Sequence, residues 1–205
     1  MKGECIGIYG GSFSPPHIGH YRALDAFVKT EHPTRTLVIP TLIPPHKQLG
    51  GDATPEQRLH MCRLAFADLP VTVDDREIRR GGKSYTVLTL EELKTADNRL
   101  LFLCGTDMLM TLDSWHQPER IFELAEIVYV CREGGGAQAE ARRALRRKAE
   151  EYRQRFSAVV RELFADVVEI SSTDLRKALG KERNASASLH PDVEEYIKAC
   201  HLYHT

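Results

Sequence analysis

The stretch GGSFSPPHIGH, at residues 10–20, follows a continuous apolar run, CIGIY, at residues 5–9 and leads into a predicted helix. At Gly10 and Gly11 the backbone can approach a ligand closely, because no Cβ is in the way. His17 and His20 are three residues apart, on one helical face, so both can point at one object. The helix N-terminus adds free N–H groups and a positive dipole end, which favour an anion. The stretch therefore predicts a strand, a glycine turn and a helix start that hold a polyphosphate.

The composition is that of an ordinary globular protein, with 205 residues, 42% hydrophobic and 28% charged, and it predicts a single domain. The formal net charge of −1 gives no global field for nucleic acid or an anionic membrane. No apolar segment is long enough to span a membrane, and the first residues lack a signal-peptide pattern. The five cysteines are scattered and form no C-x-x-C pair, which is typical of a reducing cytosol. We therefore expect a cytoplasmic protein that binds neither nucleic acid nor membrane.

Short apolar runs alternate with helical patterns along the chain. Most of the runs are continuously apolar, as expected of strands that are covered on both faces. The alternation predicts an α/β fold, a doubly wound, Rossmann-like parallel sheet in one domain over residues 1–205. Ligands bind such sheets at the carboxyl ends of the strands, where the glycine turn lies. The predicted strands are residues 5–9, 36–39, 71–73, 100–104, 127–130 and 167–170.

Several helices have readable start signals. Thr54, followed by Pro55 and Gln57, has the pattern of a capping box, and Pro191 opens the last predicted helix. A long helical excursion is predicted around residues 137–164, with an apolar stripe on one face and many arginines on the other. Glutamates break up this charge, which favours a solvated face over contact with nucleic acid.

The histidine pair has two interpretations, phosphate binding and zinc coordination. Imidazole N–H groups can donate to phosphate oxygens, and the ring charge can follow a developing charge. As zinc ligands, His17 and His20 need a third and a fourth partner, and the sequence arranges none nearby. The sequence therefore favours phosphate and predicts no metal held by the protein alone.

A second candidate phosphate site starts at Ser171. Three consecutive hydroxyl residues there, with Ser172 and Thr173, open a predicted helix and offer donors to an anion. Arg176 lies about one turn further on and can bind phosphate with two parallel hydrogen bonds. The alternative is a well-capped helix with an exposed arginine. Together with the histidine stretch, this segment is expected to hold one triphosphate.

Three further features could bind the rest of a nucleotide. Asp107, in a Gly105-Thr106-Asp107 turn, could accept ribose hydroxyls, although Gly-x-Asp is also a common turn. Trp115 has polar neighbours and is expected to stack on a flat heterocycle rather than to lie in the core. Residues 84–86, Ser-Tyr-Thr, suit a small anion at a helix start. The preceding basic residues Arg79, Arg80 and Lys83 are expected to make that neighbourhood positive.

These motifs, in this order, resemble the bacterial nicotinate-nucleotide adenylyltransferases, part of the nucleotidyltransferase superfamily with an H-x-G-H site. The family's G-G-[ST]-F-[DN]-P-x-H-x-G-H motif is matched by residues 10–20, and its P-P-H-K loop by residues 44–47. Its E-x-x-R-x-G-x-S-Y-T-x-x-T-L and S-S-T-x-[IL]-R motifs are matched by residues 77–90 and 171–176. The chain departs from the family at Ser14, usually Asp, and at Thr106, usually Ala.

The resemblance implies adenylyl transfer from ATP to nicotinate mononucleotide, giving nicotinate adenine dinucleotide and pyrophosphate in NAD biosynthesis. It also implies Mg²⁺ carried mainly by the ATP phosphates, and three catalytic residues, His17, His20 and Arg176. The residues implied for ATP are Gly10, Gly11, Ser12, Phe13, His17, His20, Gly105, Asp107, Ser171, Ser172, Thr173 and Arg176. The residues implied for the mononucleotide are Lys47, Tyr85, Thr86, Trp115 and Arg132.

Three other functions remain open at this point. The first is adenylyl transfer to nicotinamide mononucleotide, a substrate that differs from nicotinate mononucleotide by one charge. A non-catalytic nucleotide-binding protein of the same fold would not need His17, His20 and Arg176 intact. The letters HIGH at residues 17–20 also occur in class I aminoacyl-tRNA synthetases, but the chain is short for one and has no K-M-S-K-S loop. The expected partners are small-molecule substrates, and the sequence allows a homo-oligomer.

Overall fold

A six-stranded, all-parallel sheet forms the centre of the computed structural model. The structure describes residues 3–45, 53–131, 137–166, 170–180 and 186–203. The strands are β1 (Cys5–Gly11), β2 (Arg35–Pro40), β3 (Thr72–Val73), β4 (Arg99–Cys104), β5 (Glu126–Cys131) and β6 (Val160–Phe164). Their order across the sheet, β3-β2-β1-β4-β5-β6, is that of a doubly wound fold and confirms the predicted fold class.

Helices cover both faces of this sheet. One hydrophobic cluster packs Leu90, Leu109 and Tyr152 against one face, and a second packs Phe27 and Ile197 against the other. Within the described ranges, no helix has the length and apolar character needed to cross a membrane. The helices are α1 (Ile18–Glu31), α2 (Pro55–Ala65), α3 (Arg76–Arg80), α4 (Thr86–Leu93), α5 (Thr106–Thr111), α6 (Pro118–Leu124), α7 (Ala137–Phe156), α8 (Ser172–Leu179) and α9 (Pro191–Ala199).

The predicted helix starts are confirmed at three places. The Thr54 side chain accepts the backbone N–H of Gln57, and the Gln57 side chain accepts the N–H of Thr54, which completes the capping box of α2. Ser171 caps α8 and Pro191 opens α9. Each signal lies within one helical turn, so it does not depend on the rest of the fold.

The predicted helix at residues 137–164 and the predicted strand at residues 167–170 need correction. Helix α7 ends at Phe156, and β6 begins at Val160. Ile170 lies outside any strand, and residues 167–169 lie outside the described part of the chain. Val160 and Leu163 are both buried and three residues apart, a spacing that mimics the apolar stripe of a helix.

Ion pairs explain how a strand as polar as β6 forms at the edge of the sheet. Arg161 pairs with Glu31, at the end of α1, and with Glu126, at the start of β5, both at 2.8 Å. Glu162 accepts hydrogen bonds from two arginines of α7, at 2.9 Å from Arg142 and 2.8 Å from Arg146. The arginine face of α7 therefore attaches this helix to the sheet, at least at these two positions.

Candidate functional site

A cleft of about 1160 Å³ opens at the carboxyl ends of β1, β4 and β5. Between β1 and β4 the chain changes the direction in which it builds the sheet, the point where doubly wound folds bind ligands. Thr173 and Arg176 are not among the lining residues, and Lys47 and Arg132 lie outside the described residues. The predicted site residues that line the cleft are Gly10, Gly11, Ser12, Phe13, His17, His20, Tyr85, Thr86, Gly105, Asp107, Trp115, Ser171 and Ser172.

His17 and His20 cap the start of α1 reciprocally. The His17 N–H donates to Nδ1 of His20 at 3.2 Å, and the His20 N–H donates to Nδ1 of His17 at 3.4 Å. Since each Nδ1 accepts a hydrogen bond, a neutral ring carries its proton on Nε2. The helix start thereby fixes which nitrogen of each histidine can donate to a phosphate oxygen.

The environment of His17 keeps its ring neutral. Its exposed fraction is only 8%. Burial penalises the charged form and lowers the pKa of His17 to about 4. At neutral pH the ring is therefore uncharged until a negative charge arrives beside it.

The glycine turn is shaped by Phe13 as well as by any ligand. Phe13 adopts a φ of 45°, and its ring is buried against Tyr9 and His20. A Cβ at Gly11 would lie 2.9 Å from that ring, whereas one at Gly10 would meet only Phe102, at 3.8 Å. Glycine is therefore required at position 11 by the Phe13 ring of the same turn and not by a ligand. Because the Phe13 ring is buried, a ligand in the cleft would meet the backbone of this residue.

The start of α8 is joined directly to the histidine stretch. The Ser172 hydroxyl donates to the carbonyl oxygen of Pro15 at 3.0 Å. Arg176 donates to the carbonyl oxygen of Ser14 at 2.7 Å and to the Thr173 hydroxyl at 3.2 Å. The two segments that the sequence assigned to one triphosphate are thus in contact.

Asp107 and Trp115 follow β4 in the chain, and Trp115 packs on the face of the sheet opposite α1. Gly105 caps α5, and a Cβ at this position would meet no atom within 4 Å, so the approach to Asp107 is open. Asp107 is exposed in the first turn of α5. Trp115 is half-buried, with its ring edge-on to Phe102 at 6.3 Å, so it belongs to the core on one side and lines the cleft on the other.

The charge near Tyr85 differs from the expectation. Arg79 pairs with Asp75 at 2.6 Å, and Arg80 pairs with Glu92 at 2.7 Å. The buried Glu77 lines the cleft in this region, and burial raises the pKa of its carboxyl group. The expected positive neighbourhood is therefore largely neutralised. Lys83 is exposed and adds a positive charge, and Tyr85 caps the start of α4.

Comparison with known proteins decides the family. The cytidylyltransferase-like family model matches residues 8–178. A "probable nicotinate-nucleotide adenylyltransferase" from Desulfatibacillum aliphaticivorans is 33% identical, over 97% of this chain and 99% of its own length. Another so described, from Geotalea daltonii, is 35% identical over 97% of each chain. The chain belongs to the nicotinate-nucleotide adenylyltransferase family.

Solved structures share the fold of this adenylyltransferase. The Plasmodium falciparum nicotinic acid mononucleotide adenylyltransferase, complexed with APC, superposes with a TM-score of 0.73 at 20% identity, over 98% of this chain and 97% of its own. The same protein complexed with NaAD superposes with a TM-score of 0.74, at 20% identity and the same coverage. At this identity the likeness shows the fold, and the sequence relatives show the enzyme class, a nucleotidyltransferase.

The departure from the adenylyltransferase motif at Ser14 has a structural partner. The Ser14 side chain is buried and its Oγ lies 3.1 Å from the hydroxyl of Tyr203. Ser14 is not among the residues that line the cleft. The side chain at this position therefore supports the turn from behind, and the other departure, Thr106, is exposed in the first turn of α5.

Sequence reasoning missed Arg58 of α2. This arginine is fully buried and donates to the carbonyl oxygens of Ser12 at 2.8 Å, Thr41 at 2.6 Å and Leu42 at 3.3 Å. The available signal was its spacing, because Arg58 lies three and four residues before the buried Met61 and Cys62. An arginine in the apolar stripe of a helix indicates a buried polar partner.

Proposed function

We propose that this protein transfers the adenylyl group of ATP to nicotinate mononucleotide in NAD biosynthesis. The observation that carries the proposal is that one cleft is lined by the His17–His20 pair and the start of α8 and also by Tyr85 and Trp115. Such a cleft has room for two nucleotides, with phosphate-binding groups where they would meet. The names of the sequence relatives support the same reaction.

The proposed reaction is an in-line displacement at phosphorus. A phosphate oxygen of the mononucleotide attacks the α-phosphorus of ATP, a new P–O bond forms, and the bond to the β-phosphate breaks. Pyrophosphate leaves with the electron pair of that bond. Because the attacking phosphate is already a nucleophile, no covalent intermediate with the enzyme is needed, and catalysis consists of positioning and charge stabilisation.

In this reaction the glycine turn, the start of α1 and the start of α8 supply the donors for the phosphates of ATP. His17 and His20 donate from Nε2 to phosphate oxygens of ATP, and the negative charge they meet raises the pKa of His17 from its low value in the free protein. Ser171 and Ser172, which line the cleft at the start of α8, bind the β- and γ-phosphates. Arg176 and Thr173 do not line the cleft, and we assign them to the same phosphates on the family motif. Gly10 to Phe13 offer backbone groups to the same chain of phosphates.

Different residues of the cleft receive the two nucleosides. Gly105 leaves room for the adenosine ribose, whose hydroxyls donate to Asp107. Trp115 stacks on the pyridine ring, and the backbone N–H groups at Tyr85 and Thr86 donate to its carboxylate. Lys47 and Arg132 are proposed as further contacts to the mononucleotide on the family motif alone.

We propose Mg²⁺ as an ion that enters with ATP and neutralises its phosphates. In the described part of the chain, no group of three side chains is arranged to hold a metal ion. Phosphate oxygens and water would therefore supply most of its ligands, as Mg²⁺ commonly requires. The five free cysteines fit a reducing compartment, and we propose the cytoplasm.

The second candidate substrate is nicotinamide mononucleotide. It stays a candidate because Arg79 and Arg80 are paired with carboxylates and so add little attraction for the carboxylate of the nicotinate substrate. One experiment separates the two candidates. The purified protein is incubated with Mg-ATP and an equimolar mixture of both mononucleotides, and the dinucleotide products are resolved by mass. We expect mainly nicotinate adenine dinucleotide. If the product is mainly the amide dinucleotide, the substrate is nicotinamide mononucleotide instead. If no dinucleotide forms, adenylyl transfer is refuted.

A further inference from the structure

Arg58 has no side-chain carboxylate as a partner within the described ranges. Its three acceptors are backbone carbonyl oxygens, at Ser12, Thr41 and Leu42, and its buried Nε has no hydrogen-bond partner among the described residues. A fully buried charge of this kind costs stability compared with an apolar side chain of similar volume. A requirement other than stability therefore explains an arginine here.

The acceptors of Arg58 belong to the turns after two neighbouring strands. Ser12 follows β1, at the phosphate-binding turn, while Thr41 and Leu42 follow β2. These two turns also meet directly, since the Thr41 N–H donates to the carbonyl oxygen of Gly11 at 2.9 Å. The guanidinium thus fixes the separation of the two turns at the carboxyl edge of the sheet.

From Leu42 the contacts continue to the other end of the cleft. The Leu42 N–H donates to the Ser84 hydroxyl at 2.8 Å, and the Ser84 N–H donates to the carbonyl oxygen of Ile43 at 2.8 Å. Ser84 is buried and directly precedes Tyr85, the cap of α4. A continuous series of hydrogen bonds therefore runs from Ser12, through Arg58 and Leu42, to the start of α4.

We propose that Arg58 is a positioning residue for the transfer reaction, one that sets the distance between the phosphate-binding turn and the mononucleotide end of the cleft. This inference rests on the proposed function. In-line attack requires the two reactants to be aligned, and a misplacement of about 1 Å costs about 100-fold in rate. The planar, branched guanidinium can serve two turns at once, which a lysine ammonium on a single flexible stem cannot do with the same geometry.

The guanidinium also acts on the peptide groups it touches. A charged donor at the carbonyl oxygen of Thr41 polarises the peptide that carries the Leu42 N–H, and so strengthens its hydrogen bond to Ser84. The same holds for the peptide between Ser12 and Phe13, whose N–H lies in the glycine turn. Both ends of the cleft depend in this way on one buried charge.

The test compares Arg58→Lys with Arg161→Lys. Arg161 is a partly buried arginine with two carboxylate partners, and its ion pairs lie at the start of β5 and the end of α1, away from the cleft. Full-length proteins are purified as folded species, their melting temperatures are measured, and kcat and KM are determined for ATP and for nicotinate mononucleotide. We expect Arg58→Lys to lower kcat/KM by about 10- to 100-fold, with raised KM for both substrates. Arg161→Lys is expected to lower only the melting temperature.

A second variant keeps the proposal testable if Arg58→Lys does not fold. Ser84→Ala removes the hydroxyl that accepts the Leu42 N–H but leaves the buried charge in place. It is expected to raise KM for the mononucleotide several-fold and to leave KM for ATP unchanged. In the double variant with Arg58→Lys, the effects on the mononucleotide KM should be less than additive, because both changes interrupt one series of hydrogen bonds.

Three results would overturn the positioning role. These are a folded Arg58→Lys protein with unchanged kcat and unchanged KM for both substrates, a Ser84→Ala protein with wild-type KM values, or full additivity in the double variant. Failure of the proposed function is a separate outcome, because the wild-type protein would then form no dinucleotide from ATP and nicotinate mononucleotide.

Discussion

The imidazole rings of His17 and His20 stack with their centroids 3.7 Å apart and their planes inclined by 30°. Two positive charges at this distance would repel each other strongly, which opposes a charge on both rings at once. The stacked rings present two Nε2–H donors to a ligand, and the buried His17 ring is uncharged at neutral pH. Such a pair stabilises the charge on a phosphate chain by donating two hydrogen bonds from rings that the helix start holds in place.

His17→Ala is expected to lower kcat by about 100-fold or more, the scale for losing one preorganised donor to a developing charge. The measurement is steady-state turnover with Mg-ATP and nicotinate mononucleotide. His20→Ala should act similarly, and the double variant should lose less than the product of both factors, because the rings act on one phosphate chain. A folded His17→Ala protein with near-normal turnover would remove His17 from the catalytic residues.

The stability of the protein should fall between pH 6.5 and pH 4 because of His17. Its pKa is about 4 in the folded chain and about 6.5 in the unfolded chain, so the unfolded state binds more protons in this window. This contribution is fully present above pH 6.5 and is lost as the pH falls. We expect it to amount to about 2 kcal/mol between pH 7.5 and pH 5.

Urea unfolding of the wild type and of His17→Gln at both pH values measures this contribution of His17. Carboxylates that titrate in the same range affect both proteins equally and cancel in the comparison. The variant should show the shallower dependence on pH. Equal slopes would mean that His17 is not buried in its neutral form.

Arg176→Lys keeps the charge but loses the two-pronged donor that binds the Ser14 carbonyl and the Thr173 hydroxyl. We expect a raised KM for ATP and a smaller change in KM for the mononucleotide. Lys177→Arg is the control, since it lies next in the helix and is exposed. Unchanged ATP kinetics with impaired use of the mononucleotide would place Arg176 at the other end of the cleft.

Nicotinate mononucleotide should exceed nicotinamide mononucleotide by at least about tenfold in kcat/KM. The reason is the start of α4, whose N–H groups suit a carboxylate, while a carboxamide would oppose donors to donors, a mismatch worth about 1–3 kcal/mol. Because Arg79 and Arg80 are paired with carboxylates, this preference depends on the helix start. Values that are equal, or that favour the amide, would refute the nicotinate assignment.

Trp115→Ala should impair both mononucleotides alike, because stacking depends on the ring and not on its substituent. Separate kcat/KM values for the two substrates provide the measurement. Trp115→Phe, which keeps an aromatic ring beside Phe102, is the control for packing and should recover part of the loss. A loss confined to one substrate would mean that Trp115 contacts the substituent.

Features that depend on neighbouring residues could be predicted from the sequence. The central strands are continuous apolar runs, and the Thr54 capping box lies within four residues, so both could be predicted. The polar edge strand β6 could not be predicted, because Arg161 and Glu162 are stabilised by partners on α1, β5 and α7. The ion pair of Arg79 with Asp75 could in principle have been predicted, because the two residues are four positions apart, a spacing that brings side chains together on a helix.

The candidate site was predictable where motifs are local and was not where contacts join distant segments. The glycine turn, the histidine pair and the start of α8 were named from the sequence, and the structure brings them together. Arg58 was missed because its role depends on three carbonyl oxygens in two turns. Backbone acceptors have no side-chain signature, so a buried arginine that serves them looks like any other helical arginine.

The supports of the phosphate-binding turn come from very distant parts of the chain. Ser14 meets Tyr203 across 189 positions, and the bonds from Ser172 and Arg176 to the turn span 157 and 162 positions. Contacts of such separation form late in folding, because the entropy of closing a long loop opposes them until the sheet has assembled. We also expect these hydrogen bonds to break while the sheet stays folded, because small cooperative units at the margin of a domain can unfold locally. The protein should therefore lose its capacity for ATP at a lower denaturant concentration than its secondary structure, and amide exchange at Phe13 should outpace exchange in β1 and β4.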